Sequence, residues 1–347
     1  MWIIAEKYDS SVHAIKTANP SINPLNLQVG SKIVVPFRFN LVSTQIDYTY
    51  TFVNYIQEGL LMRYPFMRGG SFGSSTMGKN LYFLSMGTGK KQVFYNATHH
   101  ANEWITTVLL YKFAEDLASA YSQDILIGGY NAQQLLSQTT LYLAPLVNPD
   151  GMDLVTGGID INSMFYKNAL DISNNFSNIP FPSGWKANIL GTDLNLNYPA
   201  DWEKAKTIKY AQGYTMPAPR DFVGTFPLST YESNAVESFT RARNFSLILA
   251  YHTQGKVIYW KYLDYNPKDA ERIANEFSKL SGYSTEITPI NSAYAGYKDW
   301  FIKTYNLPGY TIEAGIGQNP LPLSQFNKIY VDNIGILTYG MAVTSTL

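Results

Sequence analysis

The chain contains no cysteine. That excludes a disulfide framework and any thiolate metal site. It carries no excess charge, with 26 Lys+Arg against 26 Asp+Glu. A formally neutral chain gives no electrostatic reason to expect nucleic acid as a partner. No run approaches the roughly 18 apolar residues of a membrane helix, so no span is expected. The first residues, Met1-Trp2-Ile3-Ile4-Ala5-Glu6-Lys7, lack a basic start followed by a sustained apolar stretch, and no signal peptide is read there. Histidine is scarce: His13, His99, His100 and His252 are the four present.

What is present is a large core. The chain has 347 residues, 46% of them hydrophobic and 15% aromatic, enough for one large α/β domain and a small appendage. Residues 1–37 read as the appendage. A short helix over Trp2–Tyr8 precedes a second one capped by Ser10-Ser11, with Val12, Ile15 and Ala18 on its apolar side. Lys32-Ile33-Val34-Val35-Pro36 reads as a strand. Residues 38–47 form a linker and 48–347 the main body. Helical spacing begins at Tyr48–Tyr64. Strand-like runs follow at Asn80–Met86, Gln92–Ala97, Thr140–Val147, Ser246–Tyr251, Lys256–Trp260 and Gly309–Glu313. Helices fit Trp104–Tyr121, Ser229–Asn244, Pro267–Leu280 and Leu323–Val343. This alternation predicts an α/β fold, a mixed, mostly parallel sheet with helices on both faces. Residues 157–226, rich in Asn, Pro and Gly, read as one long irregular segment, a length usually tied to function.

His100 and Glu103 stand three residues apart where a strand gives way to a helix. Two further strands end in His252 and Glu313. Zinc accepts imidazole nitrogen and carboxylate oxygen, and a catalytic site takes three protein ligands and an open position. In open α/β sheets the C-terminal strand edge is where ligands bind. An isolated H-x-x-E is weak, but four such residues at one sheet edge point to a metal. His99, four residues before Glu103, competes with His100; alternation along the strand lets only one face the site.

These residues resemble the zinc carboxypeptidase family over about 45–347. The matching words are His100-Ala101-Asn102-Glu103-Trp104, Asn148-Pro149-Asp150-Gly151, Asp193-Leu194-Asn195-Leu196-Asn197-Tyr198, His252-Thr253-Gln254-Gly255 and Thr311-Ile312-Glu313, with Asp299-Trp300 placed 14 residues before Glu313. The resemblance implies one Zn2+ held by His100, Glu103 and His252. It makes Glu313 the general base, Asp193 the residue that orients a ligand imidazole, and Asn195 a substrate contact. It implies a mobile substrate-facing tyrosine, for which Tyr294 is the candidate and Tyr297 the alternative. Residues 1–37 resemble a LysM module, which implies binding of N-acetylglucosamine polymers; the usual first strand is not seen before Met1.

The departures are informative. Positions where the family carries arginines hold Asn102, Leu190 and Leu196 here. Neither Asn nor Leu can grip a carboxylate as an Arg fork does. The pattern resembles a bacterial subgroup, the γ-D-glutamyl-diamino-acid endopeptidases, which implies peptidoglycan stem peptides cut between γ-D-glutamate and meso-diaminopimelate. Asn102 and Lys298 are then expected at the substrate, Lys298 meeting an acidic group on the primed side, and Lys186 is an expected helper at the oxyanion. A location in the cytoplasm or associated with cell wall or spore follows. Two other readings are an amidase or deacylase on the same scaffold and a catalytically dead wall-binding protein.

Overall fold

The computed structural model describes residues 1–345 and 347. Its centre is an eight-stranded sheet. In chain order the strands are β1 (Arg68–Ser74), β2 (Asn80–Met86), β3 (Lys91–Ala97), β4 (Thr139–Ala144), β5 (Phe245–His252), β6 (Val257–Tyr259), β7 (Ser284–Glu286) and β8 (Gly309–Glu313). Across the sheet they run β1-β2-β4-β3-β5-β8-β6-β7. The middle four, β4, β3, β5 and β8, are mutually parallel. The flanking pairs β1/β2, β2/β4 and β8/β6 are antiparallel.

Period-two alternation divides the core. Val93, Tyr95, Leu247 and Leu249 point to one face, and Phe94, Ile248 and Ala250 to the other. The first face is covered by α3 (Tyr50–Arg63), α4 (Ile105–Gln123), α5 (Ala132–Gln138), α10 (Ala270–Ser281) and α12 (Phe326–Thr344). The second is covered by α8 (Trp202–Ala211), α9 (Tyr231–Arg241) and α11 (Tyr297–Tyr305). Since β3, β5 and β8 run in one direction, their C-terminal ends meet at one edge. Glu313 is in register with His252 there, and Ala97 with Tyr251.

The segment 157–226 is less irregular than its composition predicts. It holds α7 (Met164–Asn174) and α8, and α7 begins on Ser163, whose hydroxyl accepts from the Tyr166 amide. Between β4 and α7 lies α6 (Pro149–Thr156).

The N-terminal part forms α1 (Trp2–Lys7) and α2 (Val12–Ala18), the latter capped by Ser11 as expected. The strand expected over 32–36 does not form. No strand lies beside it among the described residues, and a lone strand has no ladder to join. Asn19 takes that role: its side chain accepts from the Val34 amide at 2.9 Å and donates to the Val34 carbonyl at 2.7 Å. Residues 38–47 are fastened to the body. Arg63 donates to the Phe37 and Phe39 carbonyls, and Glu115, paired with Arg63 at 3.3 Å, accepts from the Leu41 amide.

Candidate metal centre and active site

His100 follows β3 after a turn, and a short 3-10 turn, Ala101–Glu103, carries the glutamate back beneath it. Asn148, the cap of α6, fastens this turn. Its side chain donates to the carbonyls of His99 and Ala187 at 3.0 Å each and accepts from the Gly151 amide. Gly151 is glycine because there is no room for more. A Cβ would stand 2.7 Å from the Ala187 carbonyl oxygen and 2.8 Å from the Ala101 Cβ.

His100, Glu103 and His252 converge, with one ligand atom from each lying within 4.8 Å of the others. His100 Nδ1 is 3.0 Å from Glu103 Oε1, and His252 Nδ1 is 2.9 Å from Glu103 Oε2 and 3.1 Å from His100 Nδ1. Ligands about 2.0–2.1 Å from a tetrahedral centre are roughly 3.3 Å apart, so the spacing is close to what zinc requires. Two ring nitrogens turned toward each other and one carboxylate make a poor hydrogen-bond set and a good ligand set. His252 Nε2 is buried without a hydrogen-bond partner among the described residues, so this ring is committed through its Nδ1 edge. The other edge of His100 meets Asp193, Nε2 to Oδ1 at 3.0 Å. A carboxylate behind a ligand imidazole fixes its tautomer and orientation. The donor set therefore fits zinc.

The electrostatics say the same. Burial pushes the His100 imidazole down, but Glu103 and Asp193 outweigh it and hold it up at about 9. Burial likewise disfavours the Glu103 carboxylate, yet His100, Lys186 and His252 hold its pKa well below the usual range. Lys186 Nζ lies 3.1 Å from Glu103 Oε1. This carboxylate, 1% exposed, is built to face positive charge. Glu313 is raised to about 8 by burial and by Glu103, against Lys186 and His100.

His99 stands behind the cluster, its ring stacked on that of His252 at 5.8 Å, and is not one of the converging three. Its Nε2 meets the Tyr198 hydroxyl at 2.9 Å and its ring stacks on Tyr297.

Two adjoining cavities open onto Glu313. The larger, about 960 Å³, is lined by Asn102, Lys186, Arg220, Tyr259 and Asn319 among others. The smaller, about 210 Å³, holds His100, Asp193, Asn195, Leu196, Lys298 and Asp299. Asn102 is buried at the first, donating to the Ser183 carbonyl at 3.3 Å. Asn195 lies at the second with its Oδ1 accepting from the Tyr297 amide. Lys298 is 3% exposed and far from bare. It pairs with Asp299 at 2.6 Å and donates to the Lys261 carbonyl at 2.8 Å. Leu190 is exposed and lines neither cavity.

Tyr294, the expected substrate-facing tyrosine, lines neither cavity. Tyr294 packs beside Lys204, Thr207 and Ile208 of α8, away from Glu313. Ala295, at φ 63°, exchanges backbone bonds with Tyr198 and Ala200, and Tyr294 packs into the core beside it. Tyr297 is core, with its hydroxyl on Thr240. The tyrosine that lines both cavities is Tyr259 on β6. Arg220 is the other residue that sequence reasoning missed. It lies in a segment read as irregular, and only tertiary contacts bring it to the cleft.

Residues 53–334 match the sequence model of a zinc carboxypeptidase, and residues 1–36 that of a LysM domain. The chain is 41% identical over 305 residues to gamma-D-glutamyl-L-diamino acid endopeptidase 1 of Lysinibacillus sphaericus, covering 87% of this chain and 74% of that one. It is 39% identical over 276 residues to the uncharacterized protein YqgT of Bacillus subtilis (strain 168), covering 79% and 72%. Among solved structures, thrombin activatable fibrinolysis inhibitor shares the fold at TM-score 0.70 and 19% identity, covering 96% of this chain and 80% of that one.

Proposed function

The chain belongs to the zinc carboxypeptidase family, and on that premise we propose that it hydrolyses the bond between γ-D-glutamate and meso-diaminopimelate in peptidoglycan stem peptides. It is a zinc metallopeptidase with a LysM domain at its N-terminus. The observation that carries the substrate reading is the Lys298–Asp299 ion pair in the small cavity beside Glu313, joined to the similarity with a γ-D-glutamyl-L-diamino acid endopeptidase.

Diaminopimelate differs from ordinary residues in ending its side chain in a second ammonium and carboxylate. A cation and an anion held side by side in a pocket of about 210 Å³ match that end group charge for charge. Lysine offers the ammonium alone. On the other side of Glu313 the larger cleft leaves room for the glutamyl part and what precedes it.

His100, Glu103 and His252 would hold the zinc, and Asp193 would keep the His100 ring turned to it. Zinc, when bound, lowers the pKa of water toward about 7 and polarises carbonyl oxygen. Glu313 takes a proton from the attacking water and passes it to the departing amine nitrogen of diaminopimelate. Burial, and after it the nearby Glu103, raise its basicity. Lys186, on the rim of both cavities, supplies positive charge near the carbonyl that becomes negative. Asn102 and Asn195 supply amides to orient the peptide. The LysM domain would bring the enzyme to N-acetylglucosamine polymers of the wall.

The test is one panel of substrates, each with and without chelator. L-Ala-γ-D-Glu-meso-diaminopimelate should release free diaminopimelate, and chelation should stop it. A simple C-terminal peptide and an acylated amino acid should be poor substrates. Preference for the acylated amino acid would transfer the reading to an amidase.

A further inference from the structure

We infer that Arg220 binds the free α-carboxylate of the γ-linked glutamyl residue and so selects γ-glutamyl substrates from ordinary peptides. This rests on the substrate reading above and adds a determinant on the glutamyl side of the bond.

Arg220 is the one arginine among the described residues that line the two cavities flanking Glu313, and it lines both. The other cations there are engaged. Lys186 is 3.1 Å from Glu103, Lys209 is 2.6 Å from Asp221, and Lys298 is 2.6 Å from Asp299. Arg220 uses only its Nε, which donates to Asp221 at 2.5 Å. Its two terminal nitrogens have no hydrogen-bond partner among the described residues, and its side chain keeps 43% of its surface. One carboxylate, Asp221, thus serves two cations, Lys209 and Arg220, and it leaves the terminal nitrogens of Arg220 free at the cleft. The two free terminal nitrogens of a guanidinium match a carboxylate.

The position is built. Lys186 and Ala187 both donate backbone amides to the Pro219 carbonyl, at 2.8 and 2.9 Å. Asp221 donates its amide to Asp193 Oδ2 at 3.1 Å, and Asp193 donates its own to the Phe222 carbonyl at 2.8 Å. The loop that carries Arg220 is therefore tied to the carboxylate that holds His100. A guanidinium on such a loop is fixed relative to the scissile bond rather than free to sample the surface.

The chemistry of the ligand follows from the linkage. When glutamate is joined through its γ-carboxyl, its α-carboxylate stays free, a short carbon chain from the scissile carbonyl. Most peptides carry no charge at that place. A fixed, half-satisfied arginine in the cavities that flank Glu313 meets it.

The test compares L-Ala-γ-D-Glu-meso-diaminopimelate with its isoglutaminyl counterpart, in which that carboxylate is an amide. The wild-type enzyme should prefer the acid by about tenfold or more in kcat/KM, the scale of a charge-assisted hydrogen bond. Arg220→Gln should lower kcat/KM for the acid about tenfold more than for the amide, mainly through KM, and Arg220→Lys should restore part of the preference. Calorimetry gives a second readout: binding of the dipeptide L-Ala-γ-D-Glu should weaken about tenfold in Arg220→Gln, while binding of its amide should change much less. An equal loss on both peptides, or an undiminished preference in Arg220→Gln, overturns this assignment alone. A wild-type enzyme that cleaves neither peptide overturns the substrate reading and this one with it.

Discussion

Asp193 Oδ1 lies 3.0 Å from His100 Nε2, on the ring edge opposite the one that faces Glu103. The same carboxylate accepts the backbone amides of Asn195 and Asp221. One side chain therefore sets the His100 ring, the Asn195 turn and the loop that carries Arg220. Asp193→Asn keeps the size but removes the charge that favours the correct tautomer. Zinc affinity should fall by about 10- to 100-fold, measured by competition with a chromogenic chelator. Unchanged affinity would show that Glu103 and the two rings suffice alone.

Glu313 and His252 sit in register on adjacent parallel strands, yet their substitution should separate two functions. Glu313→Gln leaves the three-ligand cluster intact. Zinc content by metal analysis should stay equimolar while kcat falls by about 10²- to 10⁴-fold. His252→Ala opens the cluster itself, so zinc and turnover should be lost together. Full turnover by Glu313→Gln would remove it from the proton pathway.

How much of this was legible in sequence depends on how local each cause is. His100, Glu103, His252 and Glu313 were readable because each closes or follows a strand whose apolar run announces it, and parallel strands bring such ends together. β1 was not. Its residues, Arg68-Gly69-Gly70-Ser71-Phe72-Gly73-Ser74, lie at the sheet edge with little to bury, so alternation never arises. α7 was hidden because its short stripe of Phe165, Ala169 and Ile172 lies inside a segment whose Asn, Pro and Gly content reads as loop. The strand expected over 32–36 had the composition but no partner. Tyr294 had nearly the right spacing, but it packs into the core beside Ala295, which is bonded to Tyr198 and Ala200 far away in sequence. Arg220 and Tyr259 acquire meaning only when loop and sheet edge are assembled.

The metal-free protein should lose stability as pH rises from about 6.5 to 9. His100 is raised from 6.5 to about 9, so the folded state holds a proton that the unfolded chain releases across that window. Glu313, raised to about 8 from 4.5, holds one in the same sense up to its folded pKa. Stability therefore declines as pH climbs through both values. Zinc takes the place of the His100 proton, so affinity should rise over the same range. Thermal melts of stripped protein at pH 6.5 and 9 would check the first, and chelator competition at both would check the second. A melting temperature that increases with pH in stripped protein would contradict this charge pattern.

Lys298 is the remaining test, and its burial dictates how it must be done. A buried ion pair broken on one side typically costs about 3–5 kcal/mol, because the surviving charge has lost its partner. Lys298→Met alone would leave Asp299 in that state, and a loss of activity could then mean a damaged fold. The double variant Lys298→Met/Asp299→Asn removes both charges while keeping similar volume, so its melting temperature should stay near that of the wild type. If the pair reads the second amino-acid centre of diaminopimelate, the double variant should raise KM for the diaminopimelate peptide by roughly 10- to 100-fold, the worth of one or two charge-assisted hydrogen bonds. The lysine-containing peptide loses only its contact with Asp299 and should suffer less. Steady-state kinetics on the two peptides measures the ratio directly. Equal penalties would mean that Lys298 and Asp299 support the wall of the cavity and leave recognition of the side chain to its other residues.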